Sequence, residues 1–149
     1  MSVQQQLERA ERLCNQRGVR FTPTRRHVFT LIAGHKGAVS AYELLDQLKE
    51  LEPHAKPPTV YRALDFLLAQ GFVHKVESLN AFLFCEHFAE HHPMQLLICT
   101  QCGNVIELHD EAINHAFEHQ AELHGFAITS QSIEAHGQCR HCAGENTTS

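Results

Sequence analysis

Apolar residues recur at helical spacing through the first half of the chain and fall into short runs suited to strands through much of the second. Val3, Leu7, Ala10, Leu13 and Cys14 share one stripe of a helix from Val3 to Gln16, which Gly18 stops. Cys14 lies on that stripe and is expected to be a buried structural thiol. Thr22-Pro23 is a helix start, an N-cap followed by proline at the first helical position, and the helix runs through Val28, Phe29, Leu31 and Ile32 to Gly34. Ser40 caps a third helix with Leu44, Leu45, Leu48 and Leu51 on its apolar side, ended by Pro53. A fourth spans Val60 to Ala69, buries Val60, Ala63, Leu64, Leu67 and Leu68, and leaves Thr59, Tyr61, Arg62 and Asp65 outward. Phe72–Val76 and Ala81–Cys85 then read as a β-hairpin. Helices followed by a hairpin give the order of a winged helix-turn-helix, in which the helix before the wing enters the major groove. Beyond it, Met94–Cys99, Val105–Leu108 and Phe126–Ala135 read as strands, Glu111–His124 as a helix, and residues from Ala143 as a frayed tail. The predicted class is α+β: a winged helix-turn-helix over residues 1–78 with its hinge, then a small α/β domain over 79–149.

Charge separates the same two halves. Of 12 Lys and Arg residues, 11 lie at or before Lys75, against eight acids up to Ser78. The remainder holds Arg140, nine acids and nine of the 13 histidines. A basic module suits a polyanion and an acidic, His-rich one suits cations. No apolar run approaches the roughly 18 residues of a membrane span. With no basic-plus-apolar leader, a reducing cytoplasmic compartment is expected, where cysteine pairs bind metal or do redox work in preference to forming disulfides.

Cys99-x-x-Cys102 and Cys139-x-x-Cys142 are the most specific chemistry in the acidic half. Two such knuckles complete a tetrahedron of thiolates around Zn²⁺ with no open position, which makes a structural site. Neither pair is expected to follow a strand into a helix start within a βαβ unit, which argues against a thioredoxin-type reading. A second alternative pairs His109-x-Glu111 with Cys139-x-x-Cys142, as in zinc deaminases. Gln138 stands where that pattern has proline, and Cys99 and Cys102 would be left without a role.

From Val19-Arg-Phe-Thr-Pro-Thr-Arg to Ile133-Glu-Ala-His-Gly-Gln-Cys139, and most specifically across Ala55-Lys-Pro-Pro-Thr-Val-Tyr-Arg-Ala-Leu and Gly71-Phe-Val-His-Lys-Val-Glu77, the chain resembles the ferric uptake regulator family, in particular its zinc-sensing branch. The resemblance implies a homodimeric repressor with an N-terminal winged helix and a C-terminal dimerisation domain. It would bind double-stranded operator DNA of zinc-uptake genes when zinc-loaded, with no membrane and no small-molecule substrate among its partners. It also implies a regulatory site built from His74, Cys85, His92 and Glu107, giving one structural and one regulatory zinc per subunit. Imidazole, thiolate and carboxylate suit tetrahedral zinc, and a thiolate at Cys85 disfavours hard iron or manganese sites. Cys85 is expected opposite His74 on the hairpin. His87 and His91 compete with His92 as ligands, while His109, His115, His119 and His124 read as a solvated or weakly metal-binding helix face.

Arg62 is the expected base-reading side chain, since a guanidinium pairs bidentately with guanine O6 and N7. Tyr61 and Thr59 suit phosphate or thymine-methyl contacts, and the resemblance adds Tyr42 as a base or backbone contact. Arg25, Arg26 and Lys56 are expected on phosphates. The competing functions are an iron-responsive regulator of the same family, and a zinc-stabilised interaction or storage protein that reads no operator.

Overall fold

The computed structural model describes residues 1–89 and 93–147. They form two compact units, Met1–Glu90 and His91–Ser149. The hydrophobic pattern places the boundary near Leu79, but the hairpin strand that follows Leu79 pairs back onto the first unit, and Cys85 and Phe88 belong to its core.

The first unit contains α1 (Val3–Arg17), α2 (Pro23–Ala33), α3 (Ala41–Leu51) and α4 (Pro57–Ala69), then β1 (Val73–Val76) and β2 (Ala81–Phe84). Side-chain oxygens of Ser2, Thr22 and Ser40 accept the free N–H groups at the starts of α1, α2 and α3, and Gly18 at φ 70° closes α1 in the left-handed region. The fourth helix begins at Pro57, three residues earlier than its apolar stripe predicts. Lys56 is its cap residue, and Thr59 Oγ1 accepts the Lys56 N–H at 3.2 Å. Proline at the first helical position lacks only a donor that would find no partner there.

Helical periodicity places Leu7, Ala10, Cys14, Val28, Phe29, Ile32, Leu44, Leu48, Val60, Ala63, Leu64 and Leu67 in one core. Leu51, expected on that side, is 55% exposed at the end of α3. Phe29 is the hub. Its fully buried ring meets Phe21, Phe72, Phe84 and Phe88 edge-on at centroid distances of 5.8, 5.7, 5.5 and 6.2 Å. Such edge-to-face contacts add to the burial itself. Val39, between α2 and α3, exchanges two backbone hydrogen bonds with Phe82 of β2 at 2.9 and 2.8 Å, which ties the wing to the helices.

The second unit is a three-stranded sheet with β3 (Met94–Cys99) between β4 (Val105–Leu108) and β5 (Ser132–Gly137), together with α5 (Glu111–Leu123) and α6 (Arg140–Thr147). Strand β3 pairs antiparallel with β4 and parallel with β5, in a register matching Cys99 to Gly137. Two expectations change here. The last strand begins at Ser132, not Phe126, because the Phe126 N–H turns back to close α5 on the Ala121 carbonyl at 2.8 Å. The tail from Ala143 is also helical, and the Ala143 N–H donates to Cys139 at 2.8 Å. No helix among the described residues is long and apolar enough to cross a membrane.

Because Phe29 supports four other rings, Phe29→Ala is expected to cost the first unit about 3–5 kcal/mol, a transfer loss plus a residual cavity. Denaturant titration followed by far-UV circular dichroism measures it.

Candidate metal centre and nucleic-acid interface

The parallel register of β3 and β5 explains how two cysteine pairs 36 residues apart in sequence meet. Cys99 ends β3 opposite Gly137, and the Thr100 N–H donates to the Gly137 carbonyl at 2.8 Å, so each chain turns into its knuckle from the same edge. The four Sγ atoms of Cys99, Cys102, Cys139 and Cys142 all lie within 4.8 Å of one another. The Cys102 and Cys139 N–H groups both point at Cys99 Sγ, at 3.5 and 3.4 Å, and the Cys142 N–H points at Cys139 Sγ at 3.5 Å. Backbone donors aimed at sulfur stabilise thiolates. The Cys102 and then the Cys139 N–H accordingly pull the Cys99 thiol down to about 6. Cys142 shifts the opposite way, chiefly through its hydrogen bond with Cys139. One thiolate thus forms readily while its neighbour resists, as expected of crowded sulfurs whose charges repel. Four soft donors in a compact group, with N–H groups already in place for their charge, fit tetrahedral zinc.

The second donor set begins on the wing. Strand register pairs His74 with Leu83 and Val73 with Phe84, and the Cys85 N–H donates to the Phe72 carbonyl at 3.0 Å. Cys85 therefore stands across from Phe72, not His74, and is the diagonal neighbour of His74 on the same face of the hairpin. This still brings the donor atoms of His74 and Cys85 within 4.8 Å of each other. Cys85 is fully buried and His74 half-buried. In the second unit, Glu107 pairs with Leu96 across β3 and β4, and its carboxylate lies 3.8 Å from His109 Nε2. His92 lies outside the described residues, as does His91. His115, His119 and His124 are exposed, and they join no group of three metal-ligating side chains among the described residues.

On the nucleic-acid side, α4 presents Arg62 to solvent, with Tyr61 54% exposed and Tyr42 of α3 78% exposed. Large aromatic rings so open to water are unusual on a chain whose other aromatics in this unit pack together. Lys56 is exposed at the start of α4. The other expected contacts have work inside the protein. Thr59 Oγ1 serves as the helix-start acceptor. The Arg25 guanidinium stacks 4.0 Å above the Phe66 ring and donates to the Arg20 carbonyl. Arg26 pairs with Glu11 and lies over Phe21. Charge alone did not separate these arginines from Arg62. The aromatic residues beside them in the fold do, and Phe66 lies far from Arg25 in sequence.

The ferric uptake regulator family model matches residues 16–136. The chain belongs to the ferric uptake regulator family. It is 50% identical over 142 residues to the zinc uptake regulation protein of Escherichia coli K12, covering 95% of this chain and 83% of that one. It is 48% identical, with a TM-score of 0.92 and 98% of each chain covered, to the structure of a zinc uptake regulator complexed with zinc and DNA. The crystal structure of holo XcZur matches at 46% identity and TM-score 0.83, over 93% of this chain and 96% of that one. Members of this family are regulators of transcription, not enzymes. Cys139 and Cys142 are grouped with Cys99 and Cys102, which gives those two cysteines the role that the deaminase pattern leaves out.

In the reduced, metal-free protein, thiolate absorbance should appear as pH rises through about 6, from Cys99, and Cys99→Ser should abolish that first step. Since the Cys99 thiol ionises more readily in the folded unit than in the unfolded chain, its contribution to stability is complete above the ordinary thiol value. It is lost as pH falls through about 6.

Proposed function

We propose that this chain is a zinc-responsive transcriptional repressor of the cytoplasm, a homodimer that occupies operator DNA when zinc-loaded and so controls zinc-uptake genes. The observation that carries this reading is the buried Cys85 thiol beside His74 on the wing of a DNA-binding unit. A soft thiolate next to an imidazole selects zinc over iron or manganese, and its position ties that choice to the module that reads DNA. The likeness to a zinc uptake regulator complexed with zinc and DNA supports the same reading.

Each subunit carries two zinc ions in this proposal. Cys99, Cys102, Cys139 and Cys142 hold a permanent structural ion, and His74, Cys85, His92 and Glu107 hold the regulatory one. Zinc, when bound, would supply the positive charge that lets Cys85 and Glu107 ligate as anions. His74 and Cys85 come from the first unit and His92 and Glu107 from the second, so joint ligation favours one arrangement of the two units in the population. A dimer that reads half-sites about one helical turn apart needs its recognition helices held at fixed spacing.

The second unit supplies a reason to dimerise. Leu97 and Ile106 are cross-strand partners on one face of the sheet and are 41% and 45% exposed. Phe117, Leu123 and Phe126 are 48%, 65% and 68% exposed on and after α5, a helix with no buried residue. Apolar surface of this extent on a small unit favours burial against a second copy.

On the DNA face, Arg62 reads a base, Tyr42 and Tyr61 make base or backbone contacts, and Lys56 binds phosphate. Arg25, Arg26 and Thr59 contribute mainly by holding α2 and α4 in place.

Zinc-dependent, sequence-specific duplex binding that chelation abolishes is the direct test; duplex binding indifferent to zinc and to sequence would exclude the repressor reading. Cys85→Ser should weaken zinc-dependent operator binding while leaving the dimer intact in analytical ultracentrifugation, and unchanged zinc dependence would remove Cys85 from the switch. Arg62→Ala should lose roughly 1–3 kcal/mol of discrimination at one base position, read by competition among single-base operator variants. Equal losses on operator and random duplexes would reduce Arg62 to a phosphate contact.

A further inference from the structure

Between α3 and α4 lies a turn of five residues, Glu52 to Lys56. A connection that short limits where the next helix starts but leaves its direction open to small rotations in the turn. The core fixes part of that direction through Ala55, Val60 and Leu64, which are buried. Glu52 is tied on every side. Its N–H donates to the Leu48 carbonyl at 2.7 Å, which ends α3, and its own carbonyl accepts the Ala55 N–H at 2.9 Å, which closes the turn. Its carboxylate crosses to the first turns of α2, where Thr24 Oγ1 donates to one oxygen at 2.8 Å and His27 Nδ1 lies 2.8 Å from the other. Thr24 and His27 are three residues apart and so neighbours on one face of α2, which allows a single carboxylate to meet both. The His27 contact, aided by Thr24, holds the Glu52 carboxyl below the usual carboxylate range.

None of these groups lies on the outward face of α4 that carries Tyr61 and Arg62. We propose that Glu52 is a positioning residue for DNA reading: bound to Thr24 and His27, it fixes the turn from which α4 leaves, and hence the aim of Arg62 and Tyr61, without touching DNA. This rests on the repressor reading above.

Charge and position predict opposite signs, which makes the idea testable. Deleting an acidic side chain from a DNA-binding unit strengthens its general attraction to phosphates. Loss of aim weakens binding to the specific sequence alone. The probe is a duplex selected by the zinc-loaded wild-type protein from a random-sequence pool, compared with a scrambled duplex by fluorescence anisotropy at one salt concentration. Glu52→Ala should bind the selected duplex roughly tenfold more weakly and the scrambled duplex as well as wild type or better. Glu52→Gln, which keeps an acceptor for Thr24 and an amide facing His27, should stay within about twofold of wild type. In an Arg62→Ala background the effect of Glu52→Ala should shrink, since a missing side chain has no aim to lose.

Should circular dichroism show Glu52→Ala unfolded, the Thr24→Val, His27→Ala pair carries the same comparison, because it leaves the backbone bonds of the turn intact. Wild-type affinity on the selected duplex, equal losses on both duplexes, or full additivity with Arg62→Ala would each overturn the role of Glu52. Failure of the wild-type protein to select any duplex would instead remove the repressor reading, and the role of Glu52 with it.

Discussion

Holding four sulfur atoms within 4.8 Å of one another sets the terms for the second unit. Thiols packed that closely resist ionising together, because each new thiolate raises the cost of the next. The fold supplies partial relief through backbone N–H groups aimed at Cys99 and Cys139. A divalent ion bound there would complete the relief, with four bonds in place of mutual repulsion. Among the described residues, the surrounding unit buries mainly its central strand, with Met94, Leu96 and Ile98 of β3 inside. Its helix α5 buries no residue, and its sheet leaves Leu97 and Ile106 in water. In a unit this small, metal ligation at these cysteines would add to the folding free energy.

The first unit solves the opposite problem. Its stability comes from apolar stripes on four helices meeting around Phe29, with caps at the starts of the helices and a wing tied in through Val39. A unit that folds on its own core can leave polar and aromatic side chains outside for other uses. Tyr42, Tyr61 and Arg62 are outside, whereas Arg25 and Arg26 are drawn inward by Phe66, Phe21 and Glu11. Basic charge in this half therefore divides into residues packed against the protein's own rings and carboxylates and residues left open to solvent.

The wing carries chemistry of both kinds. Its strands pair back to the helical core, and its inner face places a buried thiol diagonally from an imidazole. A soft, dry donor pair is a stringent filter for metal identity. In the proposed repressor, its place on the hairpin next to α4 would let metal occupancy act on DNA binding. Family membership and the likeness to a zinc- and DNA-bound regulator agree with that chemistry.

Much of this was legible along the chain, because local signals with few alternatives carried it. Helical periodicity found the four N-terminal helices, cap residues marked where α2 and α3 begin, and the CxxC spacing announced a sulfur centre. Signals that depend on distant partners were not legible. Pro57 begins α4 because Lys56 and Thr59 cap it, though no apolar stripe starts there. Phe126, apolar enough for a strand, instead closes α5, and the polar tail folds into α6 behind Cys139. Cys85 falls opposite Phe72 because strand register is a property of two segments together. Residue types and their spacing thus determined which atoms were available for zinc and DNA. Only tertiary structure decided which of them stand close enough to act: hydrogen-bond register and ring packing join residues that the sequence holds far apart.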